Sequence, residues 1–106
     1  YYKTVIPSDI QRLKSTVTGI NFYVKQKNWN KTQDLAKQLQ QELSSLKSNV
    51  DNNKSFIFQM LELSATDLGK SIQDQDPALV LIRTNLVTTN IQELETELSQ
   101  TQNKQN

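Results

Sequence analysis

Residues 8–43 read SDIQRLKSTVTGINFYVKQKNWNKTQDLAKQLQQEL. Ile10, Leu13, Val17, Ile20 and Val24 recur at alternating spacings of three and four, which places them on one face of a helix. The polar run Lys27-Asn28-Trp29-Asn30 interrupts that stripe, and Ala36, Leu39 and Leu43 resume it, widened by Leu35. An apolar stripe, a short polar break and a second stripe predict two antiparallel helices. Ser8 with Gln11, three residues on, is a capping-box start for the first helix, and Asn30 with Gln33 offers the same for the second. Gly19 lies inside the first stripe at a cost of about 1 kcal/mol relative to Ala. It either admits a close neighbouring helix or is a tolerated defect.

The rest of the chain repeats this logic. Leu46 and Val50 extend the second stripe, and the polar run Asp51 to Lys54 predicts a turn before Ser55. No Gly or Pro marks that turn, so one bent helix over 31–73 is the alternative. A third segment carries Ile57, Leu61, Leu68 and Ile72, flanked by Phe56, Phe58, Met60, Leu63 and Ala65. In Asp74-Gln75-Asp76-Pro77, Asp76 is a good N-cap and Pro77 occupies the first helical position, where its missing N–H costs nothing. Val80, Thr84, Val87, Ile91, Leu94 and Leu98 then line a last helix, with Leu79, Ile82 and Leu86 beside them. These stripes predict a single all-α domain, an antiparallel up-down four-helix bundle, with helices at roughly 8–26, 30–51, 55–73 and 76–100 and a frayed tail at 101–106. If the second and third segments are continuous, the bundle has three helices.

Composition excludes several chemistries. The 106 residues contain neither Cys nor His. That removes disulfides, thiolate metal sites, a cysteine nucleophile and the side chain that most often serves as base or transition-metal ligand. None of the five Glu falls on an apolar stripe, and Glu93, Glu95 and Glu97 are spaced to spread around a helix, so no metal site and no acid–base pair is indicated. Without His, a serine nucleophile would need a buried Lys, whereas every Lys sits in polar surroundings. The two Gly, at 19 and 69, form no phosphate loop. The sequence therefore predicts no catalytic residue, no metal and no cofactor. With only two Arg and no basic run interleaved with aromatics, it predicts no nucleic-acid partner either. Asn30-Lys31-Thr32 and Asn53-Lys54-Ser55 match a glycosylation sequon, as chance allows in a chain this rich in Asn, Ser and Thr.

The formal net charge of +1 hides a division. Residues 1–50 hold eight Lys/Arg against three Asp/Glu, a net of +5, and residues 51–106 hold four against eight, a net of −4. Basic and acidic helices lying side by side would explain this, and a basic half facing anionic headgroups is the alternative. The most distinctive local feature is the first connection. There Phe22, Tyr23 and Trp29 accompany Lys25, Lys27 and Lys31, as a cap closing the end of the core or as a patch for a partner. The longest apolar runs fall far short of the roughly 20 residues a membrane span requires. The chain opens Tyr-Tyr-Lys with no initiator Met, which suggests trimming behind a signal peptide or anchor helix.

Asn28-Trp29-Asn30-Lys31-Thr32 leading into Leu35, Leu39 and Leu43 resembles a Trp-x-Lys-Ala pattern, with Thr32 in the place of Ala. Asp74 to Leu79, leading into Ile82 and Leu86, resembles an Asp-x-x-x-Ala-Leu pattern. Both patterns belong to a family of short, uncharacterised, membrane-anchored all-helical proteins of low-GC Gram-positive bacteria. The similarity covers roughly residues 10–98. The family's second Trp and its His have no equivalent around Leu43 and Phe58–Leu61. The resemblance implies a helical domain on the outer face of the membrane, tethered by an N-terminal segment, and it brings no activity. The expectation is a non-catalytic extracytoplasmic bundle that contacts a protein or the cell surface, with partner and oligomeric state open. One alternative is a ligand-sensing bundle with a cavity lined by groups such as Thr84, Asn85 or Thr88. Another is a cytosolic coiled-coil adaptor that dimerises through the second and third helices.

Overall fold

Four amphipathic segments with polar breaks have one economical solution, which is to bury their stripes against one another. The computed structural model describes residues 2–49 and 56–104, with side chains at 8–47 and 56–97. Its elements are α1 (Tyr2–Lys25), α2 (Trp29–Asn49), α3 (Phe56–Gln73) and α4 (Pro77–Lys104), with no strand among the described residues. Each helix packs against two neighbours, α1 and α3 both touching α2 and α4. The molecule is 47 Å long and 20 by 18 Å across, the width of two helices each way. Contacts taken two per pair run in opposite directions, Thr16–Glu42 with Gly19–Leu35, Lys14–Glu95 with Asn21–Thr84, Lys47–Glu62 with Ala36 beside Ile72, and Ser64–Asn90 with Asp67–Arg83, so every neighbouring pair is antiparallel. The expected turn at 51–54 and the stripe position Val50 lie outside the described residues.

Helix boundaries depart from expectation in three places. α1 begins at Tyr2, so Ser8 lies within the helix and does not cap it. Propagation from the turn that buries Ile10 and Leu13 is far easier than nucleation and favours the extension, against the cost of Pro7 inside the helix, which has no N–H for the Lys3 carbonyl. The same reasoning applies to α4, which continues to Lys104, past the expected end at 100. The cap of α2 is Asn28 and not Asn30. The Asn28 side-chain oxygen accepts from the Lys31 N–H at 3.3 Å, and its carbonyl takes the Thr32 N–H at 3.1 Å.

Both described connections are built alike. At the end of α1, Asn28 N–H reaches Tyr23 O at 2.9 Å and Lys27 N–H reaches Val24 O at 3.0 Å, with Lys27 left-handed at φ 58. At the end of α3, Asp76 N–H reaches Ser71 O at 3.3 Å and Gln75 N–H reaches Ile72 O at 3.0 Å, with Gln75 at φ 54. These are Schellman endings in which a non-glycine residue bears the left-handed conformation. In each, the following residue caps the next helix. Asp76 does so through Leu79 N–H at 3.2 Å, with Pro77 at the first helical position as the sequence predicts.

The likeness extends through the whole fold. Adding 48 to any core position of the α1–α2 hairpin gives a core position of the α3–α4 hairpin. Ile10, Leu13, Val17, Ile20 and Val24 become Phe58, Leu61, Ala65, Leu68 and Ile72, and Leu39, Leu43 and Leu46 become Val87, Ile91 and Leu94. Buried Thr32 corresponds to Val80, and half-buried Ala36 to buried Thr84. The antiparallel register stacks these twenty residues as five layers of four. Next to the two connections the layers are slim and partly polar (Val24, Thr32, Ile72, Val80, then Ile20, Ala36, Leu68, Thr84). At the other end they are bulky (Leu13, Leu43, Leu61, Ile91, then Ile10, Leu46, Phe58, Leu94). Alternating three- and four-residue spacing along every helix makes this packing coiled-coil-like. On α3 the stripe runs through Phe58 and Ala65, and Ile57 is only half-buried.

Candidate functional site

The aromatic and basic residues of the first connection gather at the slim end of the core. Trp29, half-buried as the first residue of α2, packs against the core cluster together with Leu35 and Leu81. There it helps to fill the volume left by the small residues of the adjacent layers. Phe22 lies edge-on to Tyr23, with centroids 5.1 Å apart at 76°, and Lys31 Nζ stands 5.4 Å from the Tyr23 ring centre. Phe22, Lys25, Lys27 and Lys31 are exposed, and Lys27 supplies the left-handed residue of the turn. This end therefore combines a packed Trp with a small aromatic and basic surface.

Polar side chains between helices are engaged pairwise. Thr84 Oγ donates to Asn21 Oδ1 at 2.6 Å across the α1–α4 seam, and Asn85 is exposed. Across α3–α4, Asn90 Nδ2 donates to Ser64 Oγ at 3.0 Å. The counterpart in the first hairpin is Thr16, whose Oγ donates to Glu42 Oε1 at 2.8 Å and accepts from Gln38 Nε2 at 3.2 Å. Asn21 and Thr84 correspond in turn to Gly69 and Ala36. That small pair forms the floor of an open cleft of about 400 Å³ between α2 and α3, rimmed by Gln33, Lys37, Gln40 and Gln73. Asp9 is buried, with one oxygen 3.2 Å from Arg12 and Oδ2 without a hydrogen-bond partner. Among the described residues no three His, Cys, Asp or Glu converge as a metal site.

The charge division has a structural counterpart. Lys14 of α1 meets Glu95 of α4 at 2.8 Å, and Lys47 of α2 meets Glu62 of α3 at 3.6 Å. The 48-residue relation exchanges these bridges, since Lys14 corresponds to Glu62 and Lys47 to Glu95. The first hairpin supplies the cation both times and the second hairpin the anion.

The two outward faces differ most. On α3, Phe56, Met60 and Leu63 recur at helical spacing and are exposed to 70%, 37% and 62%. On α4, Ile82 and Leu86 are exposed to 64% and 47%. The Asp67–Arg83 ion pair at 3.3 Å and the bond from Asn90 Nδ2 to Met60 O at 3.4 Å tie the two helices together. Leu63 and Leu86 lie between these ties, at the same level of the hairpin. The matching positions of the first hairpin are Ser8, Arg12, Ser15, Asp34 and Gln38, all exposed and all polar. Equal placement with opposite chemistry shows that the bundle does not need apolar residues there. Sequence reading grouped these five with the buried stripes beside them. Their angular offset was the available signal, because positions 56, 60 and 63 point some 150° away from the mean direction of 58, 61, 65, 68 and 72 at 100° per residue.

No helix among the described residues is long and apolar enough to cross a membrane. Neither a family model, a curated protein nor a solved structure matches this chain.

Proposed function

We propose that this domain is a non-catalytic interaction module that binds a macromolecular partner through the outward face of α3 and α4, on the extracytoplasmic side of a membrane. The observation that carries this reading is the apolar set Phe56, Met60, Leu63, Ile82 and Leu86, standing where the equivalent hairpin has polar residues. Exposed apolar surface is costly in water, and a contiguous patch on one face is the usual mark of a docking surface. The lack of His and Cys and the pairwise engagement of the seam polar groups favour contact over chemistry. The outer-membrane-face assignment rests on the resemblance of the Trp29 and Asp74–Leu79 segments to anchored helical domains.

Photo-crosslinking in cells tests the docking face. A benzophenone amino acid at position 63 should give adducts, and the same probe at position 15, its counterpart on the polar hairpin, should give none. Equal labelling from both positions, or no adduct from position 63, overturns the reading.

A further inference from the structure

We propose that the partner covering this face is a second copy of the chain, so that two bundles pair back to back through their α3–α4 hairpins. The inference rests on the docking face just described and adds the identity of its occupant.

Area is the first argument. Taking about 200 Å² for a fully exposed large side chain, the five residues offer roughly 500 Å² of apolar surface. Two such faces pressed together bury on the order of 1,000 Å² before any polar rim is counted, close to the lower bound for a specific interface. Charge is the second. Of the ionic groups on this face, Asp67 and Arg83 neutralise each other at 3.3 Å, and exposed Lys70 and Glu93, one heptad beyond Leu63 and Leu86, add one charge of each sign. A basic helix would find only Glu93, offset by Lys70, and an anionic lipid surface would meet the half of the chain with a net charge of −4, a repulsion that two copies also share and that the apolar contact has to exceed. A neutral apolar face is best matched by another of the same kind, and a two-fold axis makes one such surface complementary to itself. Order of layers is the third. Among the described residues the second hairpin carries five large apolar side chains on its outer face and the first only Phe22, so pairing gives the sequence first–second–second–first. The large exposed apolar residues of α3 and α4 among the described side chains are then inside, and both polar faces are outside.

Sedimentation velocity and light scattering of the purified chain test this. At concentrations on the order of 100 μM the mass should be twice the 12.2 kDa of the chain. Leu63→Glu and Ile82→Glu should return it to one chain mass with helical content and a cooperative melt retained, since neither side chain is in the core, and with Tm no longer dependent on concentration. Ser15→Glu, on the polar hairpin, should leave the dimer intact. Because the chain lacks Cys, Leu63→Cys gives an independent readout: a bis-maleimide should join two copies, and Ser15→Cys should not. A wild-type mass of one chain over the whole range, or dimers that survive both Glu substitutions, overturns self-pairing. If the chain is monomeric while the probe at position 63 captures a different protein in cells, self-pairing fails and the interaction module stands. If no adduct forms from position 63 and the chain is monomeric, both fail.

Discussion

Reversing the seam charges should break the bundle's internal pairing and, when reversed on both sides, restore it. Lys14→Glu with Lys47→Glu removes two attractions, at 2.8 Å and 3.6 Å, and sets like charges across both seams. The four side chains are between 34% and 51% exposed, so solvent screens them and each bridge contributes only about 0.2–1 kcal/mol. Like-charge contacts cost a similar amount, so the double reversal should lose roughly 1–3 kcal/mol. For a domain of this size that is a fall in Tm of roughly 5–15 °C. Glu62→Lys with Glu95→Lys should be destabilising to a similar extent. The fourfold variant regenerates both bridges with inverted sign and should return to within about 1 kcal/mol of the parent. The measurement is urea and thermal unfolding of the four proteins, at low ionic strength and again near 1 M salt, where a screening length of about 3 Å should shrink the differences. If the fourfold variant is merely the sum of the two doubles, the bridges carry no coupling and the reasoning fails.

Other substitutions probe other parts of the argument. Lys27→Gly and Gln75→Gly relieve left-handed backbone at φ 58 and φ 54, and each should add about 0.5–1 kcal/mol after allowing for the freer unfolded chain; a lower Tm for either would count against the Schellman geometry. Gly69→Ala meets nothing within 4 Å and should stabilise α3 by up to about 1 kcal/mol. Gly19→Ala should gain less, because its Cβ would stand 2.9 Å from Leu35 Cδ1 and that side chain must move; equal gains in chemical denaturation would refute the close approach of α2. Asp9→Ile copies the residue at the equivalent position 57, removes a buried oxygen without a partner and frees an Arg12 that solvent already reaches, so stability should rise by about 1 kcal/mol. A loss of stability would show that the carboxylate is satisfied in solution.

The bundle was legible in the sequence because four stripes of period 3.5 admit few other solutions, and Asp76-Pro77 marks its helix start by chemistry local to two residues. The cap of α2 was harder to read. Asn28 and Asn30 are equally good capping side chains, and the choice falls to Asn28 because Lys27 turns left-handed, a conformation that nothing in a lysine advertises. The 48-residue correspondence was hidden for another reason. Core positions constrain size and polarity but not identity, so Ile10 can face a Phe58 counterpart and Val17 an Ala65 counterpart while the layer volumes still balance. Comparison of letters misses this, whereas comparison of apolar positions at an offset of 48 finds all eight buried apolar positions of the first hairpin. The exposed stripes did not stand out because on α3 and α4 apolar residues occupy both sides of the helix, and a list of apolar residues does not say which side faces inward.

That two-sidedness sets a problem which the charges answer. A hairpin with apolar inner and outer faces could pair with its own kind through either. Through the inner face, two copies of the second hairpin would bring Glu62 against Glu95 at both seams, and two copies of the first would bring Lys14 against Lys47. Both arrangements are repulsive, and the only combination that satisfies the seams is first with second. The outer face carries no such filter, since Asp67 and Arg83 are matched within the hairpin itself. The near-neutral net charge thus arises from two opposed halves whose opposition is used at the inner seams to select unlike hairpins. The same self-neutral pairing at the outer face leaves like hairpins free to meet. The proposed back-to-back dimer should accordingly hold or tighten as salt rises, because screening relieves the repulsion between two halves of net charge −4, while the bundle itself should lose part of its stability. If instead the dimer dissociates as salt is added, charges outside the patch hold it, and the apolar face is not its basis.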